Sequence, residues 1–350
     1  MDVDRRTFLR YAGHAGAGLM VAGAGGGLLA ACGSKSTVSS PTTSGTGAPR
    51  KALGTFAEQL NWVSDFEFAG SYMADSKGYW MAEGFDHVSL IPGGTAVQVE
   101  PKIVSGEALM GYGVTANVVT ANSKGAGLKV IGAGMQKNPL TIMSLPGKPI
   151  TKPADIAGTK IGVPVNSEAI WAAFLSYHKI SPSSYTKVPV QFDPSPLTSG
   201  QVDGILAFAT NQPITLRLKG LNPVLMYLAD FGFDYFEQLY VVSAKSLTDK
   251  RPAVIAALRG ERKGWTDVIA DPAAGAALTV SRYGTNLGLD PKQQQTGLEA
   301  LVGLMQGPAT KDKGLFYMTD AAVASSVQSL QRLGFSVDAS LFTNEILNEM

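Results

Sequence analysis

Hydrophobic and polar positions follow two alternating periods along most of the chain. From residue 58, EQLNWV has the pattern of a strand and AGSYMADSKGYWMAEG that of a helix closed by Gly84. HVSLI, EALMGYG and LKVIGAGM read as further strands, with AVQVEPKIVSG and ANVVTANSKG as the helices between them. Three successive β-α units predict a mainly parallel sheet with helices on both faces. A second series starts near residue 150. TKIGV, the stretch 186–192, VDGILAFA and VLMYLAD read as strands, separated by SEAIWAAFLSYHKI, SPLTSGQ and NQPITLRLKG as helices. From residue 250 the pattern is helical almost to the end, punctuated by Pro and Gly. The pattern therefore predicts two α/β lobes and a helical C-terminal region. Lobe 1 is expected over 55–140 and 241–350, and lobe 2 over 141–240. Asn138–Leu145 and Gln238–Ala244 are the expected crossings, which would form a hinge beside a cleft.

The first 54 residues lack this periodicity. DRRTFLR at 4–10 has the adjacent arginines, then Phe and Leu, of a twin-arginine export signal. A mild Gly/Ala-rich apolar run follows and ends in Leu29-Ala30-Ala31-Cys32, which resembles a bacterial lipobox. Residues 1–31 are expected to be removed, and Cys32 to carry the lipid that holds the protein on the outer face of the cytoplasmic membrane. Residues 32–54 are rich in Ser, Thr, Gly and Pro and bury too little apolar surface to order themselves, so they read as a flexible tether.

Composition narrows the function. Hydrophobic residues make up 45% and charged residues 16%, as in a packed globular protein. Without residues 1–31 the chain has 26 basic and 26 acidic residues, so nothing electrostatic favours nucleic acid as a partner. The basic cluster RGERKG at 259–264 reads as the solvated face of a helix. Cys32 is the only cysteine, which excludes an internal disulfide and a multi-cysteine metal site. The histidines are His14, His87 and His178, and no HExxH, GxSxG or GxxxxGK motif is present. No catalytic residue, metal or cofactor is expected.

The internal motifs N-W-x-x-D-x-E-x-A-G, KGYW-x-x-EGFD-x-V and PGG, with DIAGTKIGVP and FDPSPLTSGQVDG further on, are similar to those of one protein family. With the lipobox and tether they resemble the type II solute-binding proteins of ABC importers, and within them the branch that binds thiamine pyrimidine precursors. Related members bind riboflavin or aliphatic sulfonates. The resemblance spans about residues 58–245. It implies a two-lobed type II periplasmic binding fold with parallel-rich sheets. It also implies a monomer that captures a small planar heterocycle by hinge closure and meets an ABC permease of the inner membrane. Fungal pyrimidine synthases share the resemblance, but they have a cysteine-rich segment absent here. A ligand sensor is a further alternative.

Ligands of open α/β sheets lie beyond the carboxyl ends of strands, so the candidate residues come from those ends. Trp62 is a candidate stacking wall, and Asn61, Asp65 and Glu67 are candidate hydrogen-bonding groups. Gly93, Gly94 and Thr95 form a turn that would let a ligand approach the backbone. Tyr112 and Thr115 mark the third strand end. On the second lobe the candidates are Asn166, Trp171, Phe208 and Asn211, with Tyr235 before the return crossing.

Overall fold

A computed structural model describes residues 52–350. The expected export signal and Cys32 lie outside the described residues, as does the tether through residue 51.

The first half of the chain contributes β1 (Thr55–Gln59), β2 (His87–Ile91), β3 (Met110–Gly113) and β4 (Leu128–Met135). The chain then enters a second sheet with β5 (Leu140–Ser144), β6 (Lys160–Val163), β7 (Thr186–Pro189), β8 (Gly204–Phe208) and β9 (Val224–Tyr227). It returns through β10 (Glu237–Ser243), giving sheet orders β2-β1-β3-β10-β4 and β7-β6-β8-β5-β9. The first sheet is parallel across β2-β1-β3 and the second across β7-β6-β8. Both sheets are mixed, because β10 and β5 run antiparallel to their neighbours. Each of these two strands begins where the chain crosses between sheets. Leu140, the first residue of β5, pairs with Phe208, the last of β8. A strand that starts at the facing edge must run opposite to one that ends there.

The two expected crossings are therefore displaced, the first shorter and the second longer than expected. Most of Asn138–Leu145 and Gln238–Ala244 is strand, with its apolar residues buried in the sheets. The crossings occupy 136–139 and 228–236. Asn138 ties them together: its Nδ2 donates to the Phe233 carbonyl at 2.7 Å, and its Oδ1 accepts from Leu140 N at 2.9 Å.

Two local expectations also change. The strand predicted through Val63 ends at Gln59, leaving Asn61 and Trp62 in the loop beyond it. The helix predicted through Glu83 is broken at Gly78, whose φ of +66° suits glycine, into Ala69–Ser76 and Tyr79–Glu83. The cluster at 259–264 is not simply a solvated face. It lies within the helix Arg251–Ala270, which packs on Ala69–Ser76. The helical period turns Gly260, Glu261, Gly264 and Trp265 inward, while Arg259 and Lys263 pair with Glu83. A Cβ at Gly264 would come within 2.0 Å of the Gly70 carbonyl, so these helices touch backbone to backbone.

Candidate functional site

The loop after β1 is organised by its own acids. Asp65 caps the short turn Phe66–Phe68, its Oδ1 accepting from Glu67 N at 3.0 Å. Phe66 and Phe68 point into the core, and Phe68 meets the edge of Tyr112 with ring centres 4.9 Å apart. That leaves Asn61, Trp62 and Glu67 facing a cavity between the two sheets, joined by Val114 from the end of β3. The opposite wall comes from the second lobe. Pro164, Asn166, Ser167 and Ile170 follow β6, and Leu140 opens β5. Leu206, Ala207, Phe208, Asn211 and Gln212 come from the end of β8 and the start of the next helix.

The cavity volume is about 40 Å³, within walls that leave about 510 Å³ free of atoms when the mouth is counted. Small-ligand sites usually have about 300–1,000 Å³. The walls thus stand almost in contact, and a ring-sized ligand requires the lobes to part. Contacts across the cleft hold them together. Asn166 N donates to the Thr95 carbonyl at 2.8 Å, and the Asn166 side chain donates to the Asn61 carbonyl at 3.3 Å. Asn117 Nδ2 donates to the Asn166 carbonyl at 2.9 Å, and Thr95 Oγ1 donates to Gln191 Oε1 at 2.6 Å. Asn211 Nδ2 donates to Asp65 Oδ2 at 2.8 Å and to Glu67 Oε1 at 3.3 Å.

The lining contains no Lys or Arg and one carboxyl group, Glu67. Burial, and then the charge of Asp65, hold Glu67 well above the usual carboxylate range. Burial pushes Asp65 up to about 7, against the opposing pull of hydrogen bonds from Glu67 N and Asn211. Two buried amide oxygens on the lining, Asn61 Oδ1 and Gln212 Oε1, accept no hydrogen bond. The site therefore offers apolar walls, one indole ring and acceptors that call for N–H or O–H donors on a ligand.

Six of the sequence candidates meet here: Asn61, Trp62, Glu67, Asn166, Phe208 and Asn211. Asp65 lies just outside, on an adjoining cavity. Gly93 is needed for a different reason from the one expected. A Cβ there would come within 2.4 Å of the Leu60 carbonyl, so the glycine admits the loop after β1 rather than a ligand. Gly94 is beside it and Thr95 acts in the cross-cleft clasp; neither lines the cavity. Tyr112 is buried in the first lobe, its hydroxyl donating to Glu261 Oε1 at 2.5 Å. Thr115 Oγ1 donates to the Phe236 carbonyl at 2.5 Å, securing the base of the hinge. Trp171 is buried in the second lobe, stacked near Phe174 and donating to the Tyr185 hydroxyl at 2.7 Å. Tyr235 is buried in the return crossing. The sequence reading missed Leu140, Pro164, Ile170, Leu206 and Ala207, apolar residues with no chemical signature of their own.

A family model described as NMT1/THI5 like matches residues 65–275. The chain is 23% identical to the riboflavin-binding protein RibY of Chloroflexus aurantiacus, over 91% of this chain and 94% of that protein. Its fold matches the periplasmic aliphatic sulphonate binding protein SsuA from Escherichia coli with a TM-score of 0.58 and 13% identity, covering 79% of this chain and 85% of that one. The desulfurization enzyme DSZB is also similar in fold, with a TM-score of 0.54 and 16% identity over 84% and 98% of the two chains. The architecture is the two-lobed type II periplasmic-binding-protein fold. No helix among the described residues is long and apolar enough to cross a membrane.

Proposed function

The chain belongs to the NMT1/THI5-like family, and on that footing we propose that it is the solute receptor of an ABC importer. It closes its lobes on a planar nitrogen heterocycle, a flavin such as riboflavin first of all, and delivers it to a permease of the inner membrane. The observation that carries this reading is the interlobe cavity, with Trp62 on one wall, Leu206 to Phe208 on the other, and no cation between them. An aromatic ring gains most by lying against the indole. A sulfonate would find no Lys or Arg on the lining to offset its charge, which speaks against that ligand class. The full-length similarity to RibY supports a flavin.

The reading involves no chemistry. The cavity lining includes no His or Cys, and Cys32 is the chain's one cysteine. Export through the twin-arginine signal, a lipid on Cys32 and a monomeric receptor complete the proposal. The export signal and the lipid are supported by the motifs at residues 4–10 and 29–32.

A second ligand is favoured by a separate observation. The unpartnered oxygens of Asn61 and Gln212, with Glu67 nearby, suit the amino group of a thiamine pyrimidine precursor. One experiment separates the ligands: thermal unfolding of residues 33–350 with riboflavin, pyrimidine precursors, thiamine or taurine. A ligand bound only by the folded protein adds about 2.7 kcal/mol of stability at a hundredfold excess over Kd. A raised midpoint with riboflavin supports the first reading, and one with the pyrimidine alone supports the second. A shift with taurine alone, or with none of them, refutes both.

A further inference from the structure

A second cavity, of about 310 Å³, adjoins the first. Asn211 lines both, and its amide forms the partition. Asp65 and Glu67, two residues apart on one turn, stand on opposite sides of it: Glu67 on the inner cavity, Asp65 on the outer. The outer cavity differs in character from the inner one. Its walls come from 192–194 and the helix Gln212–Leu218 on the second lobe, and from 287–294 at the C-terminal side of the first. They present the carboxylates of Asp193 and Asp290, the hydroxyl of Thr215 and the ammonium of Lys219. Asp193 Oδ1 accepts from Ser195 N at 3.0 Å and Asp290 Oδ1 from Gln293 N at 2.7 Å, which fixes both carboxylates in place on the walls.

We propose that this outer cavity is a second subsite of the same cleft, one that takes an uncharged polyhydroxylated tail attached to a ring held in the inner cavity. The inference rests on the flavin reading above and deepens it. A polyol presents hydroxyls that each donate and accept, which matches walls carrying both kinds of partner. The charge of the tail is decided by the exposed groups around the cavity: Asp193 and Asp290 against Lys219 alone. A phosphate ester on the tail would meet like charge, so the subsite accepts the free alcohol and rejects its phosphate. As the lobes part, the Asn211 amide leaves Asp65 and Glu67, which opens the partition to the tail.

The test is a fluorescence titration of residues 33–350 with riboflavin, lumiflavin (a methyl group in place of the tail) and riboflavin 5′-phosphate. It is repeated on Thr215→Val and Asp290→Asn. Asparagine at 290 keeps a cap for the helix Pro291–Met305, so that variant retains its fold. The expected result is riboflavin bound about tenfold more tightly than lumiflavin or the phosphate. Each substitution should lower riboflavin affinity severalfold while leaving lumiflavin unchanged. Equal affinity for riboflavin and lumiflavin, unaffected by either variant, would overturn the tail subsite and leave the flavin reading standing. Phosphate bound as tightly as riboflavin would overturn the charge selection. Binding of neither flavin would remove the reading on which the inference rests.

Discussion

Asn211 Nδ2 donates to Asp65 Oδ2 at 2.8 Å, joining the second lobe to the first across the mouth of the cavity. The same nitrogen reaches Glu67 Oε1 at 3.3 Å, so one amide holds two buried carboxyl groups. Asn211→Ala should leave both without a shared donor. We expect a loss of about 1–3 kcal/mol of stability in thermal or urea unfolding. Ligand dissociation should also quicken, measured by stopped-flow, because the closed form loses a clasp. Unchanged stability and dissociation would mean that this contact does not hold the lobes.

Trp62 lines the cavity with a relative exposure of 9%. Trp62→Ala should weaken ring binding by about tenfold or more, and Trp62→Phe by less, because phenylalanine keeps an aromatic face. Calorimetry on both variants checks the order. Equal losses would point to packing of the loop rather than stacking on the ligand.

Stability should fall as pH rises through neutrality. Burial holds Asp65 and Glu261 at about 7 and Glu237 at about 8, all above the unfolded carboxylate range near 4. A carboxyl whose folded value is raised contributes fully below its unfolded value. That contribution disappears as pH climbs through the folded value. Thermal midpoints should therefore decline between about pH 4 and 8. Glu261→Gln should flatten part of the decline. Its Oε1 would still accept from Ser71, Tyr112 and Tyr240 without a charge to desolvate. A profile of the same slope in the variant would contradict this assignment.

Gly264 and Gly70 allow two helices to meet at backbone distance. Gly264→Ala should cost about 1–3 kcal/mol, since the added carbon would sit 2.0 Å from the Gly70 carbonyl and neither helix can yield alone. Chemical denaturation measures it directly. A neutral result would mean that the helix pair slides apart at little cost.

The sequence reached the architecture because strand and helix periods differ, and it reached Trp62, Glu67, Phe208 and Asn211 because ligands gather at strand ends. It failed where direction mattered. Tyr112 and Trp171 stand near strand ends, yet their side chains turn into the lobes, toward Glu261 and Tyr185. On a helix, neighbouring residues point about 100° apart. Ile170 faces the cavity and Trp171 does not, a choice that tertiary packing makes and residue type does not reveal. Leu206 and Ala207 escaped notice for the converse reason, since an apolar residue in a strand has the same pattern whether it meets a helix or a ligand. The crossings were displaced because a short apolar run reads equally as a linker or as a buried strand.

The most direct test of the account is a riboflavin fluorescence titration of residues 33–350 beside its Trp62→Ala variant. The account predicts saturable quenching at one ligand per chain, lost or weakened about tenfold in the variant. Quenching that fails to saturate, or is equal in both proteins, would contradict a receptor that closes on a ring against Trp62.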